Sequence, residues 1–487
     1  MPVTVLPMTA AGFYVSDSLP ISAQECTNVF PHMPQAPALS ADTLLGIPGL
    51  SEVARSGDSI LDANRGSHVL NGNPYFVQGA NLFRLNADFS LTNIGFIAGS
   101  GRVSMADNGT QLMILVPGGN GYIFTESPDV LAQITDTDFT ANGNPQYVVF
   151  VDGYFVCTTD EGGKFIVSAL NDGLDWNALD FGSAESSPDN SVVPVVFKNQ
   201  LFIGGALTIE GFNNIGGAEF PFQRTGLFLS QGVIAPFSVI LTSSTFMFLG
   251  AGVNEGPGIW MLQGNDTVKV STEAIDAILQ RLTGTELANV YAWSYGQSGH
   301  YFVGFSLPES ALVFDTTTGK WHERKSRIYN PDGTVSTISY RVSDLVSVGG
   351  VILASDALDG RIGVLGIDTY TEYGTEIVRR WATQPFQNNM QPFFVPALEL
   401  TLESGVGNAA EPDPVVTLQV SRNGGKTWSD ERARPMGRMG EYSRRAVWRR
   451  NGRSARFDVY RFTMADPVKP VFIQLTAHME GMDDAAA

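Results

Sequence analysis

QYVVFVDGYFVCTTDEGGKFIVS, residues 146–168, holds three β-rich runs: Gln146–Val151, Tyr154–Thr158 and Lys164–Ser168. Each is about strand length. Asp152-Gly153 separates the first two, and an Asp-Gly pair supplies the positive φ angles that a type I′ hairpin turn requires. The stretch therefore reads as antiparallel strands joined by tight turns.

The same pattern extends in both directions. Asn-Gly or Asp-Gly pairs stand at Asn71-Gly72, Asn108-Gly109, Asn120-Gly121, Asn142-Gly143, Asp172-Gly173, Asp332-Gly333, Asp359-Gly360, Asn423-Gly424 and Asn451-Gly452. Further β-rich runs lie at Gln111–Val116, Val193–Phe197 and Leu201–Ile203. A loose unit of paired strands recurs through Gly72–Thr125, Tyr147–Leu170, Val193–Phe212, Phe246–Val270, Val290–Arg324 and Val348–Ile367. Four short strands in roughly 40–50 residues are the mark of propeller blades, so residues 51–375 predict a β-propeller of about six or seven blades. Phe314–Trp321 resembles a kelch hairpin whose Trp wedges between blades. A helix is predicted after Ser271-Thr272, where Ile275, Ile278, Leu279 and Leu282 share one face.

The two ends differ from the middle. Residues 1–50 are rich in Pro and Ser without period and predict an extended N-terminal arm. Residues 376–487 predict a smaller, Arg-rich β domain. Twelve Lys or Arg stand against four Asp or Glu over residues 421–461, a surplus of eight, so the rest of the chain carries about −27 for a total of −19. The fold class is all-β.

Composition narrows the function. Only 16% of the 487 residues are charged, against roughly 25% in an ordinary soluble domain. Two cysteines, Cys26 and Cys157, are too few for a disulfide scaffold and read as buried hydrophobes. The five histidines are scattered without metal-ligand spacing, and no cofactor motif is present. Arg55 is the first basic residue, so no secretory n-region is expected, and the longest apolar run, Gly232–Leu241, is broken by Pro236. The chain is expected to be made in a cytoplasm. Its acidity opposes general DNA binding.

Several motifs carry chemistry elsewhere. Ser421–Trp428 resembles the Asp-box, with Asn423 in the Asp place; one copy marks a turn rather than a glycosidase. Gly162-Gly163-Lys164 and Gly425-Lys426-Thr427 lack the Walker spacing. Asp136/Asp138, Asp172/Asp175/Asp180 and Asp189 fit no Ca²⁺ loop and read as turn caps. The run Arg432, Arg434, Arg438, Arg444, Arg445, Arg449, Arg450, Arg453 and Arg456 is the strongest oddity. It admits a basic sheet face, a protein contact or DNA phosphates. Arg makes bidentate carboxylate contacts and is enriched at interfaces. Arg444, Arg445, Arg449 and Arg450 are therefore expected to meet a neighbouring subunit or partner.

A series of strings resembles one family, the packaged-DNA stabilisation or tail hub (nozzle) proteins of short-tailed bacteriophages. Ser22–Pro31 is similar to the family's "AQ…N-L-Y-P-E" arm and Gly46–Leu50 to its "G-T-P-G-L". Gly101–Gly109, Gln133–Asp136, Asp152–Phe155, Phe181–Glu185 with Pro188-Asp189, Phe220–Arg224, Val270–Ile275, Gly299–Tyr301, Trp321–Arg324, Gly440–Tyr442 and Arg449–Arg453 follow in order. His32 stands where the family has Glu, and residues 388–416 depart from it. The resemblance implies a virion tail protein in a ring, a hexamer, below the portal and adaptor rings. Such a hub caps packaged DNA, contacts tail spikes or fibres and seats a needle or tip protein. DNA passes its channel without sequence-specific binding, and no catalytic, cofactor or metal residue is implied. The alternative is a glycan-binding or sialidase-like propeller, which needs arginines from several blades around one pocket.

Overall fold

The computed structural model describes residues 3–9, 12–184, 190–217 and 220–481. Glu185, Pro188 and Asp189, quoted above, lie outside them. The described chain is 54% strand and 5% helix.

Among the described residues seven antiparallel sheets of four core strands follow one another in the middle of the chain, six with their strands in simple succession and the seventh with its outermost strand taken from the N-terminal stretch. Their innermost strands begin at Asn64, Ser104, Pro145, Ser191, Gln231, Tyr291 and Val342. The blades are numbered one to seven in that order. Each blade packs on the next, and blade seven packs on blade one, so the ring is closed. At that junction Ser67 Oγ donates to Asp344 at 3.0 Å, and Arg102 donates to Ser343 Oγ at 2.9 Å. The count settles the expected six or seven at seven. It also divides the expected unit Gly72–Thr125, which holds strands of both blade one and blade two.

Local chemistry explains the shared geometry. In blades one, three, four, six and seven the first hairpin turns on two positive-φ residues: Asn71-Gly72, Asp152-Gly153, Lys198-Asn199, Ser298-Gly299 and Gly349-Gly350. These turns match the right-handed twist of the strands they join. The register slips near the start of the innermost strand in blades one, three, four and seven, a bulge that increases local twist.

The N-terminal stretch runs extended, as short strands laid across both domains. Gly49–Arg55 pairs with Arg361–Gly366 and supplies the outermost strand of blade seven, straddling the expected boundary at 50. Cys26–Thr27 bridges the outer strand of blade six, Lys320–Tyr329, to Arg379–Ala382. The sheet of blade six thereby continues through Arg379–Ala382, Phe457–Met464, Val415–Ser421 and Arg432–Pro435. A second sheet contains Ala446–Arg449, Phe393–Leu402, Val471–Gly481, Thr43–Gly46 and Val29–His32, with Val3–Leu6 paired to Val471–Gly481. Between the two sheets Trp381 stacks on Phe462 at 4.4 Å, and Trp448, Leu398 and Leu475 are fully buried. This is the β-rich C-terminal domain, and the N-terminal strands complete it.

The kelch hairpin forms as expected, with Phe314 opposite Trp321. The buried Trp321 indole donates to Val270 O at the end of blade five, so it wedges between blades five and six. The predicted helix spans Glu273–Arg281 behind Thr272, with Ile275 and Leu279 buried. A second short helix, Gly284–Ala288, starts on a Thr283/Glu286 capping box that the apolar period does not reveal.

Candidate interaction surface

The basic segment runs the length of strand Phe393–Leu402: its Arg438–Arg444 loop lies beyond the Leu402 end, where Ser404 Oγ donates to Tyr442 O, and its Arg449–Arg453 turn lies at the Phe393 end. Strand Phe393–Leu402 fixes the direction. Near its Leu402 end, Glu403 N donates to Val471 O, close to Pro470, which touches Gly46. Its Phe393 end carries Arg453-Ser454 as a neighbour. The turn Arg449–Arg453 sits at that far end. Arg450 N donates to Pro396 O at 2.8 Å and Asn451 N to Val395 O at 3.2 Å.

Asn451 organises the arginines. Its buried amide donates to Trp448 O, Arg432 donates to its side-chain oxygen at 2.7 Å, and Arg422 donates to its backbone carbonyl at 2.7 Å. Gly452 has φ +85°, and a Cβ there would lie 2.5 Å from Arg422 Nη2, so the turn requires glycine. Arg434 donates to Val447 O and Ala433 O. Three guanidiniums are thus satisfied by neutral oxygens, which leaves their charge uncancelled. Burial, then Arg434 and Arg422, push the Arg432 pKa down.

The four residues expected from sequence bracket strand Ala446–Arg449. All four are exposed. Arg449 and Arg450 lie on the Asn451 turn with no ion pair among the described residues, and Arg444 also lacks one. Arg445 is different: it forms a bidentate pair with Glu399 and holds that carboxylate below its usual range. Arg438 does the same to Asp413. The loop between the two arginine strands exposes Met439 and Tyr442, at 74% and 77%. Arg, Met and Tyr together are the composition of interface patches. Arg422 is outside the run read from sequence; only the fold brings it to Asn451.

The other motifs resolve into structure. In the Asp-box, Gly425 N donates to Ser421 Oγ, Thr427 N donates to Asn423 Oδ1, and Arg461 lies 3.9 Å over the Trp428 ring. The box is in the sandwich, where Gly424 and Gly425 pack against Pro20 and Ala23. Asp136 and Asp138 accept from Trp176 N and Ala178 N, and Asp172 from Leu174 N, so these carboxylates hold the outer strand of blade three. Cys26 and Cys157 are fully buried, and burial pushes both thiols up. His32 Nδ1 lies 2.9 Å from His300 Nε2, and His300 Nδ1 lies 2.7 Å from buried Asp315, a chain that seats the N-terminal strand on blade six. Among the described residues no three His, Cys, Asp or Glu converge as a metal site. Among the described residues no helix is long and apolar enough to cross a membrane.

Comparison with known proteins follows the same two-part division. Residues 5–370 match the family described as Bacteriophage P22 Gp10, beta-propeller, and residues 378–480 match Bacteriophage P22 Gp10, beta-sandwich. The tail hub protein gp10 of Salmonella phage P22 is 23% identical over 402 residues, covering 78% of this chain and 80% of the relative. Among solved structures, the WD40 propeller domain of Doa1 is 13% identical over 65% of this chain and 97% of its own, with a TM-score of 0.39. BamB from Moraxella catarrhalis is 12% identical over 71% of this chain and 98% of its own, with a TM-score of 0.33. With its propeller and its sandwich both matched, this chain belongs to the bacteriophage P22 Gp10 family.

Proposed function

We propose that the chain is the tail hub, or nozzle, of a short-tailed phage virion. Copies assemble into a hexameric ring that closes the DNA exit channel and retains the packaged genome. The ring joins the portal-adaptor assembly on one side to tail spikes or fibres and a needle or tip protein on the other. The role is structural rather than catalytic. Family membership supports the tail role, and the tail hub name of the P22 relative supports the specific position.

The observation that carries the contact reading is the arginine surface. Among the described residues Arg444, near Met439 and Tyr442, and Arg449 and Arg450, on the Asn451 turn, are exposed without ion pairs, while Arg445 is fixed by Glu399. Such a surface is suited to an acidic neighbour, either another subunit or the adaptor. The combined change Arg444→Ser, Arg445→Ser, Arg449→Ser and Arg450→Ser is expected to weaken ring assembly or docking and leave the strand content intact. Light scattering and circular dichroism on the purified chain read the two effects. Assembly and docking equal to the parent across a range of salt would return the arginines to a merely solvated face.

A further inference from the structure

The arginine turn has a counterpart on the same chain. Residues 121–184 hold ten carboxylates and a single basic residue, Lys164. They build the outer half of blade two and most of blade three. Asp129 pairs with Arg84 and Glu161 with Lys164, and Asp136, Asp138 and Asp172 are engaged with backbone amides. Asp175 and Asp180 remain without an ion pair among the described residues. Both lie on the outer strand of blade three, Asp172–Ser183, which also exposes Leu174, Leu179 and Phe181; Leu179 is 79% exposed. Apolar side chains set among uncompensated carboxylates form a second contact surface of opposite sign.

The ring of blades fixes where this rim lies. The sandwich is continuous with blade six through Cys26–Thr27 and Arg379–Ala382. In a closed ring of seven, the two blades farthest from blade six are blades two and three. The acidic rim and the arginine turn therefore occupy opposite flanks of one molecule. Two different, complementary patches on opposite flanks make a head-to-tail contact, the type that closes cyclic rings.

We infer that the arginine turn of one copy docks on the acidic rim of blades two and three of the next copy. This rests on the ring reading above and names the surfaces that form the ring. Arg449 and Arg450 meet Asp175 and Asp180. A second copy suits the turn better than nucleic acid does. The chain presents the matching rim itself, its net charge is −19, and Trp448 and Trp428, which could stack on bases, are buried or half-buried.

Charge reversal tests the docking in the full-length protein by sedimentation velocity at low and at physiological salt. Arg449→Glu with Arg450→Glu reverses the turn, and Asp175→Arg with Asp180→Arg reverses the rim. Each pair alone is expected to reduce the assembled species to single chains. The four changes in one chain restore assembly, because a reversed turn then meets a reversed rim. An equal mixture of the two single-face variants also assembles, in alternation, which shows that each is folded. A parent that stays monomeric at every concentration overturns the ring reading itself. A parent that assembles alongside a single-face variant of unchanged mass overturns the docking and leaves the ring standing, as does a failure of both the combined variant and the mixture to reassemble. Duplex DNA retarded in a gel by the parent but not by the turn variant, with assembly unchanged, assigns the turn to nucleic acid.

Discussion

Glu372 shows how a single side chain records the packing of blade seven against blade six. It sits on a short strand beside Leu50, 2% exposed, with Arg341, Asp356 and Arg324 around it. Burial pushes its carboxyl up to about 7, and the arginines only partly oppose this. The folded state therefore favours the protonated acid. Its stabilising contribution is full below the ordinary 4.5 and is lost as pH rises toward 7. Glu372→Gln keeps the shape and removes the titration. The variant is expected to gain on the parent between pH 4.5 and 7 and to be the more stable above 7, by about 3 kcal/mol. Denaturant unfolding at several pH values measures this, and parallel pH profiles for the two proteins would rule it out. Nothing in the sequence singles out Glu372, because its pKa is set by groups far apart in the chain. The four arginines were legible as a run, but their states were not. Arg445 is neutralised by Glu399, forty-six positions away, and Arg449 is not.

At the scale of elements, hairpins were readable where the turn chemistry was overt. Asn71-Gly72 and Asp152-Gly153 are the two-residue turns their sequence predicts. Lys198-Asn199 makes the same turn without a glycine and Ser298-Gly299 without Asn or Asp, so the period looked looser than it is. Conversely, Asn142-Gly143 lies between blades and Asn120-Gly121 enters a strand. The arm was visible as aperiodic sequence, but its pairing was not, since register between Gly49–Arg55 and Arg361–Gly366 spans most of the chain. That pairing yields a prediction. Leu50 is buried at the head of the closing strand, and Leu50→Ala should cost about 2–5 kcal/mol. Hydrogen exchange should accelerate at Arg361–Gly366 and leave Gln146–Ser168 of blade three at the parental rate. Equal acceleration in both places would mean that the strand does not close the ring locally.

For the whole molecule, the decisive property is the separation of charge. Seven blades and a sandwich put the surplus of positive charge in the sandwich beside blade six and the carboxylates of blades two and three across the ring from it. The sequence displayed both clusters, but their opposition needs the circular order of the blades. A ring built from such chains consumes its arginines in subunit contacts and leaves a neutral or acidic wall for DNA. The assembled protein is accordingly expected to bind duplex DNA weakly, with little dependence on salt. A steep fall of affinity with rising salt would reveal a basic wall instead.

The closing strands also dictate the order of events at the ribosome. Gly49–Arg55 emerges early, yet its partner Arg361–Gly366 is translated some three hundred residues later, and Val3–Leu6 waits for Leu475–His478. Blades one to six can be assembled as they appear, whereas the circle stays open until Arg361–Gly366 is made and the sandwich until translation is nearly finished. A product cut short by a premature stop lacks the partners of its own first strands. Such a product presents unpaired strand edges, which template pairing with other chains.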